Sequence, residues 1–334
     1  MRLPSKNNFP NEANDAGAQT EEVCAPCVYA MAVGENMAGH RLDFAVSREL
    51  GVSRAYAQRL IKKGHVTHSN GRRIKPSIIV VPGEEYAVDV PSPERLELEP
   101  EDVAFETVYS DRDIIVVNKP AGLVVHPAPG HWRGTLVHGL LFRFPELGNL
   151  NGVERPGIVH RLDSTTSGLM VVARNGLGQE RLYKAFKERR VDKIYLALCF
   201  GAPPAKRGTI DLPIGRDETH RTRMAAVGDG RSAVTDYRVL WSREGRSLIE
   251  CRLHTGRTHQ IRVHMKAIGC PLVGDALYAP SRPSPFEPPR VFLHAWKLAF
   301  KHPRDERLMS FRAFLPEELR AVLRQISPTG RSLP

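Results

Sequence analysis

Two rhythms of apolar and polar positions divide the chain. From Arg41 to Leu50 the apolar residues fall at 42, 45, 46 and 50, one stripe of a helix that Gly51 ends. Ser53 can cap a second helix over Arg54–Lys63, with Ala57, Leu60 and Ile61 inward and Gly64 as its stop. His65 to Gly71 predicts a short strand running into an Asn70-Gly71 hairpin turn. From about Glu106 strand patterns appear. Thr107–Val117 predicts two strands around Asp111–Asp113, and Gly168–Ala173 (GLMVVA) a fully buried one. Val191–Phe200, Ser232–Leu240 and Leu248–Leu253 are further strand runs. Helices are predicted over Leu136–Phe144, over Gly178–Arg190 with Leu182, Tyr183 and Phe186 inward, and over Leu315–Ile326. Ile261, Val263 and Met265 alternate with Arg262 and His264, as on a strand or the start of a helix.

Charge sharpens this division. Residues 40–75 carry nine Arg or Lys against two acids, whereas residues 76–105 carry eight acids against one Arg. The reading is therefore a tail over 1–28, a small basic α/β module over 29–91, an acidic linker over 92–105, a mixed α/β unit over 106–326 and a second tail over 327–334. A chain of 334 residues with 41% hydrophobic content supports two such units with real cores. A net charge of +11 suits a polyanionic partner. Five scattered cysteines fit reduced thiols better than a disulfide framework, and Cys24-x-x-Cys27 lacks a second ligand pair for zinc. No apolar run approaches a membrane span and no signal-peptide core is visible, so a cytoplasmic protein is expected. Neither a Gly-rich phosphate loop nor a dinucleotide fingerprint occurs.

The chemistry concentrates in HRLDSTTSG (residues 160–168), which places Asp163 in a hydroxyl-rich turn between apolar segments. Alone, such an aspartate is a turn or cap residue. A buried carboxylate needs a partner, and adjacent Arg161 faces the other way in an extended segment, so the partner must come from elsewhere. On spacing alone Lys119 is equally a turn lysine or a phosphate contact, and Tyr195 is a core aromatic in a strand. His254, His259 and His264 make a poor metal site, because five-residue steps do not share a helix face. The cations Arg54, Arg59, Lys62, Lys63, Arg72 and Arg73 gather on one helix and the following turn, which favours a polyanion contact over a merely solvated helix pair.

Taken whole, these motifs resemble two known families. The run from Arg41 to Glu84 resembles the S4 RNA-binding domain. HRLDSTTSG, VVNKPAGLVVHP, KIYLA, TGRTHQIRVH, GDALY and FLHAWKLAF resemble the RluA-type pseudouridine synthases, over roughly residues 40 to 315. The resemblance implies an α+β fold with a mixed, mostly antiparallel sheet behind an S4 module. It implies isomerisation of uridine in RNA by a monomer, with no cofactor and no metal. Asp163 would be the catalytic carboxylate, Arg262 its partner, Tyr195 the ring that stacks on the target base, and Arg161 the residue that enters the space left by the flipped uridine. Within the family, the combination is most similar to enzymes of large-subunit ribosomal RNA, which would make that RNA the partner. Other ribosomal or transfer RNA targets, a non-catalytic S4-type binder, and a hydrolase using His160 or His264 as base are the competing expectations. Release of tritium from C5-labelled uridine separates the synthase from the last two.

Overall fold

A computed structural model describes residues 27–52, 54–90, 98–150, 155–220, 223–279 and 288–326. The Ser53 cap, Cys24 with most of the expected N-terminal tail, the C-terminal tail and nearly all of the proline-rich loop at 280–289 lie outside the described residues. The chain divides into two units, Met1–Leu96 and Glu97–Pro334.

The first unit packs two helices on a three-stranded antiparallel sheet. Its elements are β1 (Cys27–Ala32), α1 (Leu42–Leu50), α2 (Arg54–Lys62), β2 (Val66–His68) and β3 (Glu85–Val90), with strand order β1-β3-β2. The predicted stripes are the buried ones: Leu42, Ala45, Val46 and Leu50 from α1 meet Ala57, Leu60 and Ile61 from α2 over Tyr86 and Val88. Two expectations change. The sheet opens at Cys27, inside the stretch expected as tail. The Asn70-Gly71 turn forms, with Gly71 at φ 73°, but no hairpin follows it. The partner of β2 is β3, more than a dozen residues later. The intervening chain first runs past the start of α1, where the Pro76 and Ile78 carbonyls accept the N–H groups of Asp43 and Leu42.

The second unit is built on one nine-stranded sheet with both faces covered. Its strands are β4 (Glu106–Ser110), β5 (Ile114–Lys119), β6 (Ser167–Ala173), β7 (Asp192–Phe200), β8 (Arg207–Asp211), β9 (Ile214–Arg216), β10 (Met224–Ala226), β11 (Val234–Arg243), β12 (Arg246–Leu253), β13 (Leu293–Lys301) and β14 (Leu308–Arg312). The sheet runs β4-β5-β6-β13-β7-β12-β11-β8, with β14 also on β13, while β9 and β10 form a separate pair. Among the described residues, only β6 and β13 pair in parallel. The helices are α3 (Leu136–Arg143), α4 (Gly176–Lys187), α5 (Gln260–Ala267) and α6 (Glu317–Ile326). Alternate residues feed opposite cores: Ile115, Val117, Met170 and Val172 face the core shared with α3 and α5, and Ile114, Val116, Leu169 and Val171 face that of α4. Hence the central strands are unbroken apolar runs rather than alternating ones. The segment expected as acidic linker is part of this unit from residue 98: Leu98 and Phe105 pack into its core and the Glu101 N–H donates to the His138 carbonyl. On α4 the buried face is Gly178, Leu182 and Ala185, so Tyr183 points outward, 62% exposed, against expectation.

Candidate active site

The sheet register assembles the site. Ala295 on β13 is opposite Gly168 on one side and Tyr195 on the other, and Tyr195 is in turn opposite Cys251 on β12. The turn that carries Asp163 enters β6 just before Gly168, and the chain leaves β12 just after Cys251, toward α5. Four strands thus bring Asp163, Tyr195 and the 254–262 segment to one place. Gly168 makes this possible. At φ 118° it lies so close to β13 that a Cβ there would overlap the Ala295 carbonyl oxygen and stand 2.6 Å from its nitrogen. The sequence pattern marks this glycine as a turn former; its role in the fold is this close strand approach.

A cavity of about 490 Å³ opens over these strands, lined among others by Arg161, Asp163, Tyr195, Leu253 and His259. Arg262 Nη1 stands 3.8 Å from Asp163 Oδ2, and His259 Nε2 stands 4.0 Å from the same oxygen. Both approaches are longer than a hydrogen bond, so the carboxylate is electrostatically matched while its lone pairs stay uncommitted toward the cavity. Arg262 lies behind, on α5. Its Nε and Nη2 each donate to Asp275 at 2.8 Å. Burial works against the guanidinium charge, but those bonds and the two carboxylates outweigh it and raise its pKa. His259 takes a left-handed backbone (φ 58°) at the start of α5, uncommon without glycine, which turns the ring toward Asp163. Tyr278 Oη accepts the Met224 N–H and lies 2.9 Å from His259 Nδ1. Burial lowers the His259 pKa, against the pull of Asp163, so the ring is neutral near pH 7. Burial, and then the Asp163 charge, push the Tyr195 phenol above its ordinary range, so it stays neutral too.

Known proteins share this arrangement of motifs. A family model described as RNA pseudouridylate synthase matches residues 113–267, and one described as S4 domain matches 40–85. A Bacillus subtilis protein named as the uncharacterized RNA pseudouridine synthase YlyB is 43% identical, over 89% of this chain and 97% of its own. The chain belongs to the RNA pseudouridine synthase family. The ribosomal large subunit pseudouridine synthase D of Zymomonas mobilis is 39% identical, again over 89% and 97% of the two chains. Among solved structures, human RNA pseudouridylate synthase domain containing 1 superposes with a TM-score of 0.53 at 33% identity, covering 66% of this chain and 89% of its own.

The structure brings some of the expected residues to one cavity and leaves others apart from it. Asp163 and Tyr195 share the cavity, exposed Arg161 stands at its wall, and Arg262 backs the carboxylate without lining the space. Lys119, expected to touch RNA, does not reach solvent at all. Its side chain is 0% exposed and its ammonium donates to the carbonyls of Pro120, Leu123 and Ser164, so it ties the two loops of the site together. Burial, with the Arg290 charge nearby, pushes its pKa down to about 7. In the S4 unit Arg54 pairs with buried Asp43 at 2.9 Å, and Arg72 pairs with Glu84, so these two are anchors of their own fold. Arg59, Lys62, Lys63 and Arg73 are exposed, with Arg59 over the Tyr56 ring. The candidate hydrolase bases are committed elsewhere: His160 Nε2 accepts the Val171 N–H, and His264 is held by Thr235 and the Leu212 carbonyl. His254, His259 and His264 diverge to separate partners rather than converge. Asp275 is a site residue that sequence reasoning does not reach. Its one signal is an acid set among apolar residues in GDALY.

Proposed function

We propose that this chain converts uridine to pseudouridine in large-subunit ribosomal RNA. One observation carries the proposal. A carboxylate with Arg262 and His259 within 4.0 Å, and no side-chain hydrogen bond of its own among the described residues, faces a cavity walled by a buried neutral tyrosine. Isomerisation breaks an N-glycosidic bond and forms a C-glycosidic one, with no net redox and no energy input. Its needs are a carboxylate with free lone pairs, a surface to hold the detached uracil, and a place that excludes water. Asp163 acts on the ribose, either at C1′ as nucleophile or at C2′ as base. Tyr195 packs on the uracil while it turns to present C5, and a proton then leaves C5. Arg161 fills the space the flipped base leaves. The S4 module adds sequence-tolerant affinity through exposed Arg59, Lys62, Lys63 and Arg73. Support for a ribosomal target comes from relatives named for the large subunit. One chain supplies every group, as a monomer in the cytoplasm, without metal or organic cofactor. No helix among the described residues is long and apolar enough to cross a membrane.

The test is release of tritium from C5-labelled uridine in unmodified ribosomal RNA. The wild type should release it. Asp163→Asn should bind the same RNA and release none, and normal turnover by that variant would remove Asp163 from the reaction.

A further inference from the structure

The cavity extends beyond the base-holding ring. Its far end is walled by α4 and by the turn from α4 into β7, and it is strongly cationic, with Lys187, Arg189 and Lys193. Lys193 and Tyr195 are two residues apart on β7, so both project from the same face about 7 Å apart along the strand. The Lys193 stem lies against Phe186, with its ammonium 5.8 Å from the ring centroid. Among the described residues that ammonium has neither a hydrogen bond nor an ion pair. Its environment is moreover hostile to a cation, since burial and then the charge of Arg189 push its pKa down to about 8. Cations gathered in a cleft focus a positive potential there and draw in an anion.

Arg189 supplies a second, independent observation. It follows the last turn of α4, where the Arg190 N–H returns to the Ala185 carbonyl and the Arg189 N–H to that of Phe186. This is the terminating loop in which glycine is normally found, and Arg189 holds it at φ 58°. Its side chain is exposed at the cavity wall. A non-glycine residue is thus kept at a backbone cost at a position that lines the same cavity as Lys193, near enough for its charge to act on that ammonium. Of four non-glycine residues with positive φ among those described, two, Arg189 and His259, line this cavity.

We propose that Lys193 and Arg189 form a phosphate subsite that holds the RNA backbone beside the flipped uridine, so that the strand itself sets where the base meets Tyr195. The proposal rests on the reading of Asp163 and Tyr195 as the base-holding end. It gives a role to a lysine one strand repeat from the tyrosine and to an arginine at the rim of the same cavity.

Two variants test it on the full chain, with C5-tritiated ribosomal RNA transcript as probe. Arg189→Gly removes the guanidinium and relieves the backbone. It should raise the melting temperature by a few degrees and yet raise KM roughly tenfold, and lower the slope of log K against log salt by about one. Lys193→Met keeps the stem over Phe186 and removes the charge; it should show the same shift in slope, with the effect mainly in KM. A more stable Arg189→Gly with unchanged KM and slope would overturn the subsite, as would Lys193→Met that lowers kcat while leaving the slope intact. If the wild type releases no tritium, the catalytic reading fails, but the salt slope of filter binding by the same variants still decides whether a phosphate is held there.

Discussion

Removing Asp275 should cost more stability than removing the carboxylate it stands beside. The Asp275 side chain is 0% exposed and accepts both guanidinium bonds of Arg262 at 2.8 Å, as well as the N–H groups of Leu277 and Tyr278 at 3.1 Å. Asp275→Ala leaves Arg262, 8% exposed, with the 3.8 Å approach to Asp163 and the face of the Tyr278 ring, and no carboxylate within hydrogen-bond distance. Breaking a buried pair by deleting one partner costs about 3–5 kcal/mol. For a unit of this length each kcal/mol moves the melting temperature by about 2–4 °C, so a fall of roughly 10 °C is expected. The Arg262–Asp163 approach makes no hydrogen bond and is partly solvated, so its coupling should be about 1 kcal/mol or less. Double-mutant cycles followed by tryptophan fluorescence measure both couplings. The three tryptophans, Trp132, Trp241 and Trp296, all lie in the second unit, so the signal reports on that unit alone. Arg262→Met combined with Asp275→Leu should recover much of the stability while remaining inactive. An Asp275→Ala protein within about 1 kcal/mol of wild type, or equal couplings in the two cycles, would refute the assignment of Asp275 as the principal partner.

Three other outcomes follow from the same geometry. Gly168→Ala should separate β6 from β13 at Ala295, lowering the melting temperature and tritium release together; retention of both would show that the strands can part without disturbing Asp163. Lys119 has a folded pKa of about 7, well below that of a lysine in the unfolded chain, so the unfolded state binds more protons between pH 7 and about 10. Its contribution to stability therefore rises with pH through that window, and Lys119→Met should flatten the slope seen in denaturant titrations at pH 7, 8 and 9. Replacing Lys62 and Lys63 by alanine should weaken RNA binding evenly across sequences. It should also lower the salt slope by about one for each phosphate no longer neutralised, which filter binding at several salt concentrations would detect.

Local pattern carries much of this fold. The α1 and α2 stripes and the apolar run of β6 are set by residues within a few positions of one another, and the buried sets agree with them. Tyr183 departs from its stripe because an aromatic beside Leu182 extends the apolar pattern on paper, whereas Gly178, Leu182 and Ala185 are the buried face and Phe186 packs at its edge. Asp163 and Arg262 can be paired through resemblance, yet the stronger partner of Arg262 stays hidden, since nothing in local spacing says which of two acids a guanidinium will choose. Lys119 shows a similar limit. A lysine in a turn is expected at the surface, and its burial depends on carbonyls from Leu123 and Ser164, the latter 45 positions away.

The place of β13 in the sheet has a consequence for biosynthesis. It lies between β6 and β7, yet it is translated about a hundred residues after them. Until it emerges, β6 and β7 each present a bare edge that can capture foreign strands, and the turn bearing Asp163 is braced only from the side of Lys119 and Gly122. Asp163 and Tyr195, which β13 holds side by side through Ala295, are consequently brought together only near the end of translation.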